Sequence, residues 1–227
     1  MTTIIDFSFV NLEPQDQEIL RIMGYRRSQA PTPEVERLVT GEKERSRSLL
    51  EPRGIYTIRR IISKGEEEVT LEDDTTFKGW NVARALRGAH EAALFVVTVG
   101  EKISQRIRSL FDSRHFAEAV CLDAVASVAV DALAEYLHRE VIWKEAQDRG
   151  LFIGPRYSPG YCFWKLEEQA RLFAALGPEA IGVHLNSHFF MIPEKSISAV
   201  VGMGSEEREI RISACADCSV KDCSVRR

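Results

Sequence analysis

Apolar and polar positions along the chain switch between helical and strand-like spacing from one segment to the next. Apolar residues three and four apart predict helices at residues 14–24 and 33–51, the second with Thr32 as N-cap and Pro33 at its first position. Two β-branched runs flank the sequence KGE at residues 64–66 and predict a hairpin. The first part of the chain is therefore expected to form two helices and a hairpin.

The middle of the chain carries its most apolar segments. A helix at residues 80–89 is predicted to lead into a buried strand at 92–99, which Gly100 separates from another helix. Residues 115–149 form one long predicted helix that is apolar on most of its circumference. We therefore expect this helix to lie at the centre of the fold.

The last third of the chain is predicted to contain a loop, one helix and several strands. Residues 151–162 are expected to form the loop, and the helix follows at 166–176, closed by Gly177. The stretches 181–204 and 208–213 alternate like strands and carry few helix signals. Together these elements predict an α+β fold, with helices packed on a central, mostly antiparallel sheet.

Composition excludes two classes of partner. The chain has 227 residues, of which 44% are hydrophobic and 28% charged, and this is enough for a sizeable core. A formal net charge of -4 and a pI near 5.8 give no basic surface for nucleic acid. No apolar run approaches the ~20 residues of a membrane span, and the first residues lack a signal-peptide pattern. We expect a cytoplasmic protein with neither nucleic-acid nor membrane partners.

The stretch RYSPGYC at residues 156–162 is the first candidate binding site. A turn at Pro159 and Gly160 lets backbone approach a ligand closely, because glycine has no Cβ. Arg156 offers a planar fork to a carboxylate, and Tyr161 offers a ring face or a hydroxyl. These groups suit a small ligand with a carboxylate and a flat or cationic part. The alternative is a structural turn in which Arg156 pairs with a surface acid.

Acidic positions on the long predicted helix are the second candidate. Asp123 and Asp131 lie eight residues apart, and Glu135 and His138 follow Asp131 at steps of four and three. All of them therefore project from roughly one face. A carboxylate in so apolar a helix is costly to bury unless it is paired. Two partners are open, the amine of a ligand and one of the chain's own arginines.

Three of the chain's five cysteines, Cys215, Cys218 and Cys223, lie in the tail at residues 214–227. Their C-x2-C-x4-C spacing favours metal or redox chemistry over disulfides in a reducing compartment. Zinc and iron–sulfur sites usually take four ligands, and Cys162 or a group from outside the chain would be the fourth ligand of an iron–sulfur cluster. Three interpretations stay open: an iron–sulfur cluster, a zinc ion, and a tail of reduced thiols without metal.

The segment RYSPGY resembles the Arg-x-x-x-Gly-Tyr motif of the activation (reactivation) domain of cobalamin-dependent methionine synthase. Other segments occur in the family's order: AALFVVTVG before a helix, then VDALAEYLHREV, and IGVHLNSHFFMIPEKSISAVVG after the motif. The resemblance covers roughly residues 80–204. It predicts an activation-domain-like core at 80–213, with 1–79 part of the same domain and 214–227 a cysteine-rich tail.

The resemblance implies an activator that binds S-adenosylmethionine and offers its methyl group to an inactive, oxidised corrinoid. That cobalamin would belong to a partner, either a corrinoid protein or a cobalamin-dependent methyltransferase. An electron donor such as flavodoxin or ferredoxin would supply one electron. Carried over by position, Arg156 binds the methionine carboxylate, and Gly160 and Tyr161, with Pro159 in the same turn, line the nucleoside and sulfonium region. Asp131 falls at an acidic, ligand-contacting position of the family.

Two family features are missing from this chain. It lacks the tryptophan-rich segment with a further ligand-contacting acid, and GSEEREI stands where a tyrosine would follow the S-x-S strand. Cys162 and the cysteine tail are like features of shorter, free-standing relatives, which implies action on a corrinoid partner in trans. Two other functions remain open: a docking module that caps a corrinoid protein without binding S-adenosylmethionine, and a small metal or redox protein.

Overall fold

A computed structural model of the chain describes residues 2–26 and 28–207. The helices of this part are α1 (Asp16–Ile22), α2 (Pro33–Ser46), α3 (Trp80–Ala85), α4 (Glu101–Asp112), α5 (Phe116–Tyr136), α6 (Trp143–Gln147) and α7 (Gln169–Leu176). A π-helical segment, Leu137–Ile142, joins α5 to α6, and 3-10 turns occupy Leu166–Glu168 and Pro178–Ile181. The strands are β1 (Thr2–Asp6), β2 (Arg53–Lys64), β3 (Glu68–Leu71), β4 (Thr76–Lys78), β5 (Glu91–Thr98), β6 (Phe152–Tyr157), β7 (His184–Leu185), β8 (Met191–Ile192) and β9 (Ser196–Gly204).

A central antiparallel sheet organises these elements. Its strand order is β4-β3-β2-β5-β9-β6, with β1 paired to β2 beside this path. Strands β7 and β8 form a separate two-stranded sheet. Strand β5 lies between β2 and β9 and pairs with both along its whole length. The predicted α+β class with a mostly antiparallel sheet is confirmed.

Both faces of the central sheet are covered, and this explains why the sequence of β5 is apolar throughout. Ala93, Phe95 and Val97 face the core that contains α4 and α5. The alternate residues, including Leu94 and Val96, face a second core with α3 and α7. Because successive side chains of a strand point to opposite faces, a strand covered on both sides has no polar positions to alternate with.

Helix α5 is the central helix that its apolar circumference predicts. One side packs on the sheet through residues such as Leu122 and Leu133, which are fully buried. The other side carries Cys121, Val125 and Val128 against α1 and α2. The helix therefore lies between the sheet and an outer helical layer, so few of its positions can be polar.

Among the elements predicted from the sequence, two differ in kind from the structure. The segment expected to be a loop, residues 151–162, contains the edge strand β6. Pro155 makes this segment look unlike a strand in the sequence, because proline has no N–H to donate. An edge strand tolerates proline, since one side of its backbone forms no hydrogen bonds to a neighbouring strand. The long helix at 115–149 is present, but it changes to π-helical geometry at Leu137. The tail cysteines and residues 208–213 lie outside the described residues.

The close approach of Phe7 to the sheet depends on Gly54. A Cβ added at Gly54 would lie 2.6 Å from Phe7 Cε2 and 3.2 Å from Val97 Cγ1. The ring of Phe7 is fully buried and meets Tyr136 edge-on at 5.9 Å. Overpacking of this kind typically costs about 1–3 kcal/mol, because well-packed neighbours cannot move aside.

We therefore expect Gly54→Ala to lower the free energy of unfolding by about 1–3 kcal/mol in urea titrations. The matched control is Gly41→Ala in α2, where the nearest atom to a new Cβ is the flexible end of Arg45, at 3.5 Å. Alanine is the better helix former, so this variant should gain up to about 1 kcal/mol. Equal effects of the two substitutions would contradict the packing described here.

Candidate binding site

Arg156 reaches its neighbours because strand β6 contains a β-bulge. Ile153 pairs with Met203 of β9, but Arg156 pairs with Val201, so β6 has one residue more than β9 in this interval. Side chains of a strand alternate between faces, and one extra residue therefore reverses the faces of all later positions. The bulge turns Arg156 towards α5 and Tyr157 towards the opposite core.

The guanidinium of Arg156 is held by two carboxylates of α5. Its Nη2 atom lies 3.2 Å from Asp131 Oδ1 and 3.1 Å from Glu135 Oε2. The side chain of Arg156 is 16% exposed, while those of Asp131 and Glu135 are 37% and 33% exposed. Both contacts use Nη2, and a guanidinium carries five N–H donors in all. The cluster is thus open to solvent on its acidic side and retains donors for a further oxygen ligand.

The predicted acidic face of α5 is therefore real, and its partners come from the chain itself. Asp131 pairs with an arginine, one of the two alternatives that its sequence position left open. Asp123 pairs with Lys195 at 2.7 Å, and the same ammonium group donates to Ser127 Oγ at 2.9 Å. Glu135 also forms an ion pair with Arg139. Asp123 thus belongs to a separate contact, which joins α5 to the segment before β9.

His138 belongs to the same face and contacts the bulge. Its Nε2 atom lies 2.9 Å from the carbonyl oxygen of Gly154. Because a carbonyl oxygen only accepts hydrogen bonds, Nε2 carries the hydrogen. Burial lowers the pKa of His138, and the nearby positive charge of Arg156 acts in the same direction. The imidazole is therefore neutral at neutral pH and donates to the strand that carries Arg156.

The chain after Arg156 forms a tight corner at residues 158–164. Ser158 Oγ donates to the carbonyl oxygen of Ser198 at 2.7 Å, which attaches the start of the corner to β9. Gly160 has a φ of 88° and donates its N–H to Trp164 O at 2.8 Å. Cys162 and Phe163 have φ values of 48° and 65°, in the left-handed region that non-glycine residues seldom adopt. Such strained backbone often occurs at ligand-binding segments.

Buried side chains beneath the corner hold this backbone in place. Tyr157 and Trp164 stack with ring centroids 5.3 Å apart. The carbonyl oxygen of Cys162 accepts hydrogen bonds from the Tyr157 hydroxyl, at 3.0 Å, and from Asn81 Nδ2. Trp164 Nε1 donates to Lys78 O at 3.1 Å. No sequence signal distinguishes these supporting residues, although Tyr157 lies inside the motif.

Two buried polar residues at the start of α7 connect the corner to neighbouring loops. Glu168 Oε2 accepts the N–H of Lys78 at 2.7 Å. Gln169 Nε2 donates to Phe189 O at 2.8 Å, and Gln169 Oε1 accepts from Ser198 Oγ at 2.8 Å. The loops around residues 78–81 and 186–190 are therefore fixed relative to β9, the strand to which Ser158 also binds.

The corner, the start of α3 and the loop at residues 186–190 carry large aromatic side chains in contact with solvent. We call them the exposed aromatic residues: Trp80, Tyr161, Phe163 and Phe190, with 50%, 56%, 63% and 60% of their surface exposed. Single exposed aromatics are common, but several on connected loops are typical of an interaction surface. Of the residues predicted to line the site at this corner, Gly160 and Tyr161 are exposed to solvent and Pro159 is buried.

The described residues contain no metal centre. Among residues 2–26 and 28–207, no three His, Cys, Asp or Glu side chains form a group that could hold a metal ion. Burial raises the pKa of the Cys121 thiol to about 12, with the charge of Glu42 acting in the same direction, so this thiol stays protonated. Over the same residues, no helix is long and apolar enough to cross a bilayer.

Comparisons with known proteins agree with this fold. The solved structure of the MetH reactivation domain bound to AdoHcy matches with a TM-score of 0.67 and 18% sequence identity, covering 89% of this chain and 78% of that one. The methionine synthase of Mycobacterium tuberculosis is 30% identical over an alignment of 124 residues that covers 47% of this chain and 10% of the relative. The chain thus matches about a tenth of that curated protein.

The family comparison covers most of the chain. The model of the vitamin B12-dependent methionine synthase activation domain matches residues 45–227. This match includes β2–β4 and extends upstream of the residues 80–204 on which the sequence resemblance is based. It also includes the Arg156 corner and the acidic face of α5. The chain therefore belongs to the family of activation domains of vitamin B12-dependent methionine synthase.

Proposed function

We propose that this chain binds S-adenosylmethionine at Arg156 and the adjoining corner, and supports the reductive methylation of a cobalamin carried by a partner protein. In that reaction an electron donor supplies one electron and S-adenosylmethionine supplies the methyl group, leaving S-adenosylhomocysteine. Family membership supports the reaction class. The observation that carries the site is the pairing of Arg156 with two half-exposed carboxylates beside a strained, exposed corner.

The charge pattern of this cluster suits the amino-acid end of the ligand. That end carries a carboxylate and an ammonium group on one carbon atom, so its receptor needs a cation and an anion side by side. Arg156 and Asp131 lie 3.2 Å apart and provide both. The unused donors of the guanidinium bind the carboxylate, and Asp131 receives the ammonium group.

The corner and its surroundings account for the rest of the ligand. Gly160 is exposed and has no Cβ, so a flat group is able to lie against its backbone. The exposed ring of Tyr161 offers a stacking surface to the nucleoside or a π face to the sulfonium cation. The other three exposed aromatic residues then contact the broad apolar face of the partner's corrinoid. Flavodoxin and ferredoxin remain the predicted classes of electron donor.

Calorimetric titration with S-adenosylmethionine tests the binding site. We expect the wild type to bind and Arg156→Ala to lose about 1.5–3 kcal/mol of binding free energy, roughly 10- to 100-fold in Kd, because a charge-assisted contact is removed. Arg60→Ala is the matched control, since Arg60 pairs with Glu72 on the distant β2–β3 hairpin. Absence of heat up to millimolar ligand in the wild type would favour a docking module instead.

A second variant separates ligand binding from structural pairing at Asp131. Asp131→Asn keeps the shape of the side chain and removes its charge, so we expect weaker binding by about tenfold with little change in melting temperature. If Asp131 only holds Arg156, the substitution frees a guanidinium and binding stays equal or becomes tighter. Unchanged or increased affinity in the folded variant therefore contradicts its role as a ligand contact.

The role of Cys215, Cys218 and Cys223 remains a prediction from spacing, because these residues lie outside the described part of the chain. We propose that they are thiolate ligands of an iron–sulfur cluster that passes an electron to the corrinoid, with zinc as the alternative metal. Anaerobic purification followed by iron, sulfide and zinc analysis and by visible spectra is the measurement. Bound metal should disappear on deletion of residues 214–227. A metal-free wild type, with reactivation unchanged by the deletion, would leave the tail without this role.

A further inference from the structure

The bulge in β6 determines the direction of Arg156, and one side chain outside the strand contacts it. Three steps along β6, from Ile153 to Arg156, oppose two steps along β9. Gly154 and Pro155 lie inside this interval, and proline has no N–H with which to hold the bulge in the ladder. Within the described residues, a side chain from the helical layer contacts the bulge: His138 Nε2 donates a hydrogen bond to Gly154 O at 2.9 Å.

The π-helical segment gives His138 this position. It begins at Leu137, one residue before His138 and directly after the α5 turn that carries Glu135. A π-helical turn holds more residues than an α-helical turn and displaces the following side chains, and such turns are frequent at functional sites. Glu135 and His138 consequently meet β6 two residues apart, at Arg156 and at Gly154.

We propose that His138 is a positioning residue for Arg156. Its hydrogen bond to the Gly154 carbonyl fixes the bulge, and the bulge directs the guanidinium to Asp131 and Glu135. Without this bond the strand gains an alternative register in which the arginine side chain no longer meets the acidic face of α5. The consequence for ligand binding rests on the S-adenosylmethionine site proposed above, whereas the consequence for the conformation of Arg156 does not.

Two substitutions separate the donor from the ring. His138→Gln keeps an amide N–H donor and loses the ring, while His138→Phe keeps a ring of similar size and loses the donor. If His138 acts only through packing, His138→Phe should keep the wild-type behaviour better than His138→Gln. If His138 positions Arg156 through its hydrogen bond, His138→Gln should keep it better. His184→Phe is the matched control, because His184 is exposed on β7.

The first measurement is the NMR signal of the Arg156 Nη2 hydrogens, which report whether the guanidinium is held, because Nη2 is the atom that contacts Asp131 and Glu135. We expect a protected signal in the wild type, in His138→Gln and in the control, and loss of protection in His138→Phe. A protected signal in folded His138→Phe overturns the proposal. If His138→Phe does not fold, His138→Gln decides, because loss of protection in that variant is equally contrary to the proposal.

The second measurement is calorimetric titration with S-adenosylmethionine. We expect His138→Phe to weaken binding about three- to tenfold, as for the loss of one hydrogen bond, and His138→Gln to restore at least half of the lost affinity on a logarithmic scale. Wild-type affinity in His138→Phe overturns the proposal. If the wild type itself does not bind, the proposed function fails, and the NMR signal alone decides whether His138 positions Arg156.

Discussion

The architecture of the candidate site depends on one cross-element contact, the attachment of Arg156 on an edge strand to Asp131 and Glu135 on the central helix. An edge strand is held by one neighbour only, and β6 is further weakened by a bulge and a proline. Ion pairs at 3.2 Å and 3.1 Å supply the missing constraint from the helical side. The contact also places two partly exposed carboxylates beside the guanidinium, and this is the cluster that we propose as the receptor for a zwitterionic ligand. If the proposed binding site is correct, the structural and functional demands on Arg156 coincide.

The fold makes this contact possible by burying α5 between two layers. The helix is anchored to the sheet by one face and to α1 and α2 by another, so its polar face has a fixed direction. The core on the other face of the sheet fixes the corner. There the Tyr157–Trp164 stack and the start of α7 hold the strained backbone in place. The bulge in β6 assigns consecutive residues of the motif to these two cores. As a result, Arg156 contacts the acidic face of α5, while the chain from Ser158 onwards forms the corner.

The sequence predicts much of the fold because most elements carry their own local signals. The apolar run at 92–99 is confirmed as β5, and the helix predicted at 115–149 is present as α5, the π-helical segment and α6. The signals of β5 and α5 are strong because burial on two sides leaves little room for polar residues. Strand β6 was wrongly predicted to be a loop, since it depends on pairing with β9 and contains a proline. The spacing of Asp131, Glu135 and His138 does predict a shared face. Which residues meet that face could not be predicted, because the register of β6 is set by a bulge without a sequence signature.

A crystal structure of the chain in complex with S-adenosylhomocysteine tests the proposed binding site most directly. We expect the amino-acid carboxylate of the ligand to lie within hydrogen-bonding distance of the Arg156 guanidinium and its ammonium group to face Asp131. The nucleoside should lie along Gly160 and Tyr161. A ligand bound elsewhere, with Arg156 still engaged only by Asp131 and Glu135, would contradict the proposed site.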